Sequence, residues 1–97
     1  MQKIVVTRHK ALVEWLLDQG LIDKNTKIIP HAEPNDLKGK HAIGVLPYRL
    51  AVYARKYTEI QLRLPPEKRN VELTLEDIKW YAKDYRTYVI NRTSFKD

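Results

Sequence analysis

The chain reads as an α/β domain, a mostly parallel sheet with helices on both faces in the order β-α-β-β-α-β-α. Three observations predict this. Ile4-Val5-Val6 is an unbroken apolar run, as expected of a strand buried on both faces. It stops at Thr7-Arg8-His9, and a helical period starts at once with Ala11, Leu12, Trp15 and Leu16, ending at Gly20. That is the first half of a βαβ unit. The same succession returns at 41–56, where a strand again runs straight into a helical pattern.

Taken in order, residues 3–7 form the first strand and residues 9–19 the first helix, with Gly20 as its left-handed cap. Asp23-Lys24-Asn25-Thr26 is turn chemistry. Residues 27–31 form a second strand that Pro30 ends or confines to an edge. Residues 32–40 are a polar loop with room for one helical turn around 35–37. The third strand covers 41–45. Pro47 opens a helix that carries Leu50, Ala51 and Ala54 on one face and ends near residue 56. From 57 to 64 the pattern alternates, with Ile60, Leu62 and Leu64 on one side and Glu59, Gln61 and Arg63 on the other, which predicts a half-exposed edge strand. A loop follows at 65–70. Thr74 and Asp77 form a capping box, and the last helix has Ile78, Tyr81, Ala82 and Tyr85 as its inner stripe. Residues 91–97 are a polar, frayed tail.

Ninety-seven residues make a single domain, 1–97, with a small core that dimerisation would enlarge. The hydrophobic fraction of 43% excludes a disordered chain. A net charge of +6 favours an anionic partner. There is no cysteine, hence no disulfide framework and no thiolate metal site. No apolar run approaches the roughly 18 residues of a membrane span. The expectation is a soluble, cytoplasmic protein with neither membrane nor DNA as partner.

In open α/β sheets, ligands bind beyond the carboxyl ends of the strands. The candidates on that crest come from separate segments. Arg8 follows the first strand and could grip a phosphate bidentately; the plainer alternative is a surface pair with Glu14 or Asp18. His9 opens the first helix as a general acid or base, or simply faces water. His31 ends the second strand. Gly44 and the Leu46-Pro47 turn end the third; this glycine either permits close backbone approach to an anion or serves helix–sheet packing. Tyr48 could stack on a base. Lys68 and Arg69 lie on the loop after the fourth strand. His41 falls at the opposite end of the sheet. The three histidines share no ligand spacing, so no metal site is expected, and no cofactor either. Glu72-Leu73-Thr74 reads as helix capping, and Glu33 and Asp36 as loop residues. The convergence points to an anion, with phosphate favoured.

Val6-Thr7-Arg8-His9 with Ala11, Glu14-Trp15-Leu16 and Gly20 resembles the opening of the Csx-sixteen family of type III CRISPR systems. His31, Gly39, the block 43–47, residues 62–66, Arg69 and Glu72-Leu73-Thr74 fit it as well, so the resemblance spans 4–89. Thr7 stands where the family pattern has serine, and Asn70 where it has glycine. The resemblance implies a Rossmann-like (CARF-like) fold, a homodimer, and a ring nuclease that cleaves cyclic tetra-adenylate without a metal. Joined to the crest candidates, it assigns Arg8, His9 and Arg69 as catalytic residues, with Thr7, His31, Gly44, Leu46, Pro47, Tyr48 and Lys68 lining the substrate site. A sponge or sensor that binds the ring without cutting it is the alternative. A general RNA-binding protein ranks last, because no aromatic platform of obvious spacing is present.

Overall fold

A computed structural model of the chain describes residues 1–93. Among the described residues, five strands form one sheet: β1 (Lys3–Val6), β2 (Lys27–Ile29), β3 (His41–Gly44), β4 (Lys56–Leu62) and β5 (Ala82–Tyr88). Between them run α1 (Lys10–Asp18), α2 (Pro34–Leu37), α3 (Tyr48–Ala51) and α4 (Leu75–Tyr81), with a 3-10 turn at Pro66–Lys68. The spatial order is β2-β1-β3-β4-β5. The first four strands are parallel and β5 is antiparallel to β4. The chain steps outward from β1 to β2, then returns past β1 to β3. The winding therefore reverses between β1 and β3, and a crevice opens beyond their carboxyl ends.

The continuous apolar runs make sense once both faces are covered. Val5, Ile43 and Ile60 meet Ala11, Leu12, Trp15 and Leu16 of α1 and Ile78 of α4 on one side. Ile4, Val6, Ala42 and Tyr57 meet Leu37 of α2 and Ala51 of α3 on the other. Successive residues of a strand thus alternate between two cores, and neither side of β1 tolerates a polar residue. The termini of the helices follow their local sequence. Gly20 has φ +73°, and the N–H groups of Gly20 and Leu21 donate to the carbonyls of Leu17 and Leu16, a Schellman closure of α1. At α4, Asp77 N–H donates to Thr74 Oγ1 at 3.1 Å and Thr74 N–H donates to Asp77 Oδ2 at 3.0 Å, the reciprocal box expected from the spacing.

Four sequence expectations need correction. The last helix stops at Tyr81, and residues 82–88 are strand β5. Tyr81, Tyr85 and Tyr88 sit at helical spacing, but the free edge of β4 takes this aromatic-rich segment into the sheet, with Ile60 opposite Tyr85 and Tyr57 opposite Tyr88. In consequence β4 is an interior strand, and the edges are β2 and β5. The order is β-α-β-α-β-α-β-α-β rather than β-α-β-β-α-β-α. The helix after Pro47 is also shorter than predicted, ending at Ala51, and Ala54 makes an isolated antiparallel bridge with Lys38. Of the tail expected to fray, residues 94–97 lie outside the described residues. Among the described residues, no helix is long and apolar enough to cross a membrane.

Candidate functional site

An open cleft of about 950 Å³ lies beyond the carboxyl ends of β1–β4. Its basic side chains come from three places: Arg8 and His9 in the β1–α1 turn, His31 after β2, and Arg69 after the 3-10 turn. Its apolar lining includes Val6, Leu12, Val45, Leu46, Leu50, Leu62 and Leu64. Glu33 and Glu72 add two carboxylates at the margin.

The β1–α1 turn is organised by its own hydroxyl. Thr7 N–H donates to the Ile29 carbonyl at 2.9 Å, extending the β1–β2 ladder by one bond. Thr7 Oγ1 then accepts the His9 N–H at 3.1 Å. Such a local side-chain bond folds the backbone tightly, so Arg8 is carried on the outside of the bend while His9 takes the N-cap position of α1. His9 has extended dihedrals, φ −94° and ψ 109°, and its carbonyl accepts from Leu12 and Val13. The surface pairing considered for Arg8 does not form. Among the described residues the ion pairs are Lys68–Asp77, Lys79–Glu76 and Arg86–Asp84, so Arg8 and Arg69 both face the cleft without a carboxylate partner.

The β3–α3 turn is held from below. Tyr57, buried on β4, accepts the Leu46 N–H at 2.8 Å and reaches the carbonyls of Gly44 and Leu46 at 3.4 Å. Burial pushes its phenol up to about 12, so it stays protonated. The Leu46 amide is therefore engaged internally and is not free to bind an anion. Gly44 serves close backbone approach of another kind. Its φ is +147°, and a Cβ there would lie 2.5 Å from the Val6 carbonyl oxygen on the adjoining strand. The glycine lets β3 run tightly beside β1 at the mouth of the cleft.

Thr7, Arg8, His9, His31, Leu46 and Arg69 are thus brought together from separate segments. Gly44, Pro47, Tyr48 and Lys68 are not among the lining residues. Tyr48 is 73% exposed, and Lys68 Nζ is 3.3 Å from Asp77 Oδ1, where it supports the start of α4. Sequence reasoning passed over Glu33, Asn70, Val71 and Glu72 as cleft residues. Glu72 had a ready explanation as part of the α4 cap, but Thr74 and Asp77 alone make that cap. His41 sits at the far end of the sheet, as its place in the sequence implied. Its Nε2 shares a 2.6 Å hydrogen bond with Thr58 Oγ1, which in turn lies 2.7 Å from Thr87 Oγ1, so a polar chain crosses β3, β4 and β5. Burial, with Lys3 and Lys56 adding positive charge, lowers its pKa below the usual histidine value.

Chemically, the cleft pairs permanent cations with imidazoles beside an apolar floor, an arrangement that suits a phosphate ester carrying a flat, partly apolar group. A family model described as "Putative CRISPR-associated protein (Cas_VVA1548)" matches residues 4–91, which takes in every cleft residue and all five strands except the first residue of β1. No curated protein and no solved structure gives a match. With nine-tenths of its length under that model, the chain belongs to the CRISPR-associated family Cas_VVA1548.

Proposed function

We propose that the protein is a ring nuclease of the Csx-sixteen kind, one that binds cyclic tetra-adenylate and cleaves it to linear oligoadenylate, switching off type III CRISPR signalling. The observation that carries this reading is the convergence of Arg8, His9, His31 and Arg69 on one open cleft, with no ion pair formed by either arginine among the described residues. Membership of a CRISPR-associated family supports, as the anion, one used in that defence.

The reaction asks little covalent chemistry of the protein. A ribose 2′-hydroxyl oxygen attacks the adjacent phosphorus and the bond from phosphorus to the 5′-oxygen breaks. The product ends in a 2′,3′-cyclic phosphate. The hydroxyl proton passes to solvent, and His9 protonates the departing 5′-oxygen. Arg8 and Arg69 hold the phosphate in line and stabilise the charge that builds on its equatorial oxygens. Because the substrate carries its own nucleophile, no metal-bound water is needed. A cyclic tetranucleotide has two-fold symmetry, so a C2 homodimer would present one Arg8 and one His9 to each of two opposite phosphates.

The test is incubation of the purified protein with cyclic tetra-adenylate in EDTA, with products separated by liquid chromatography and identified by mass. A linear product ending in a cyclic phosphate is expected. An intact ring that co-elutes with the protein would replace cleavage by capture. An intact ring that does not bind would remove the ring as ligand altogether.

A further inference from the structure

Beside the cleft lies a second, shallower pocket of about 660 Å³, lined by Arg63, Pro65 and Tyr81 together with Leu62, Leu64 and Arg69. The last three also line the cleft, so the two pockets share a wall and Arg69 stands on it. The fold builds this corner from long-range parts. Arg63 is the first residue past β4, and Tyr81 is the last residue of α4 before the chain turns into β5. The Arg63 N–H donates to the Tyr81 carbonyl at 3.1 Å, which ties the two backbones together beside the pocket that both residues line. A register shift at Gln61/Leu62, where Leu62 comes to face Ala82, lies at this corner and re-aims the end of β4.

The chemistry of the side pocket differs from that of the cleft. Its lining holds two guanidiniums and no carboxylate, whereas Glu33 and Glu72 border the cleft. Arg63, like Arg69, makes no ion pair among the described residues. Alongside the cations stand a half-buried phenol ring, a prolyl ring and two leucines. Aromatic and guanidinium planes stack on nucleobases regardless of sequence, and free guanidiniums take phosphates. A ligand that fits both pockets is therefore a chain of nucleotides rather than a lone phosphate.

We infer that the pocket of Arg63, Pro65 and Tyr81 is a nucleobase subsite for single-stranded oligoadenylate, in which a base stacks on Tyr81 while Arg69 holds the phosphate joining it to the nucleotide in the cleft. This rests on the cleft being the phosphate site of the proposed function. It adds that the site grips a neighbouring nucleotide as well as the scissile one, and it makes Arg69 a bridge between the two.

The experiment is a heteronuclear NMR titration of the whole chain with two probes, linear tetra-adenylate and inorganic phosphate. Tetra-adenylate should shift the backbone amides of Arg63 and Tyr81 as well as those of Arg8 and His9. Phosphate should leave Tyr81 unmoved. Tyr81→Leu should weaken tetra-adenylate binding roughly tenfold with phosphate binding unchanged, while Tyr81→Phe, which keeps the ring, should bind as the wild type does. Arg63→Ala gives a second reading at a residue exposed enough to be replaced without disturbing the fold. Shifts confined to the cleft, wild-type affinity in Tyr81→Leu, or an acidic peptide displacing tetra-adenylate from Tyr81 would each overturn the subsite. The outcome separates from that of the proposed function. Shifts at Tyr81 with an uncut ring keep the subsite and remove the nuclease; a cut ring with Tyr81 silent does the reverse.

Discussion

Replacing Tyr57 with phenylalanine removes one oxygen from the middle of the molecule and leaves a donor stranded. Tyr57 is 1% exposed and Leu46 7% exposed, so the Leu46 N–H loses its acceptor in a buried setting once the 2.8 Å bond is gone. A buried donor left without a partner costs about 1–3 kcal/mol, and the ring itself still fills its space, so no cavity cost is added. Against the roughly 5–15 kcal/mol that holds a domain together, this is a large share. Urea unfolding should show the midpoint falling by about 1 M at an unchanged slope. The effect carries a pH signature. The unfolded phenol ionises at 10.0 and the folded one at about 12, mainly because of burial. Wild-type stability is therefore unaffected by this group below pH 10 and is lost as pH rises from 10 through about 12. The phenylalanine variant lacks that loss, so the gap between the two proteins should narrow over the same range. Because Leu46 and Val45 line the cleft, the proposed ring cleavage should fall with the loosened turn. An unfolding midpoint within about 0.2 M of wild type would refute the reasoning, since the hydrogen bond would then not be holding the turn.

Other outcomes follow from the same geometry. Gly44→Ala forces a Cβ to within 2.5 Å of the Val6 carbonyl oxygen at φ +147°, and should cost about 2 kcal/mol or more, seen calorimetrically as a melting temperature lower by roughly 10 °C; an unchanged melting point would show that β1 and β3 part freely. His41 has a folded pKa below 6.5, so its contribution to stability is present above 6.5 and lost as pH falls through the folded value. His41→Gln should accordingly show a shallower loss of urea resistance as the pH falls below 6.5. Arg8→Ala should reduce the proposed ring cleavage by roughly a hundredfold or more in single-turnover assays while leaving thermal stability near wild type, because Arg8 is exposed and forms no ion pair among the described residues. His9→Ala should slow the proposed ring cleavage while leaving binding of the ring intact, and an unchanged rate would assign the leaving-group proton to water.

What the sequence determined by itself was whatever depends on near neighbours. The apolar run 4–6, the helical period after it and the Gly20 closure are all written within a few residues, and the structure has each of them. So are the Thr74–Asp77 box and the end of β2 before Pro30. The part of the cleft in the β1–α1 turn was legible for the same reason: Arg8 and His9 follow the strand directly, and a parallel strand's carboxyl end lies at the crest. Tertiary structure decided what depends on distant partners. Tyr81, Tyr85 and Tyr88 satisfy a helix and a strand about equally in isolation, and only the unpaired edge of β4 made the segment a strand. Gly44 is explained by the carbonyl of Val6, thirty-eight positions away in the chain. Arg69 belongs to two pockets because β4, α4 and the loop between them meet at one corner, and Glu72 borders the cleft because Thr74 and Asp77 already complete the cap. Local backbone energetics select the elements, but the pairing of free edges and the sharing of side chains between pockets arise only when the whole chain has closed on itself.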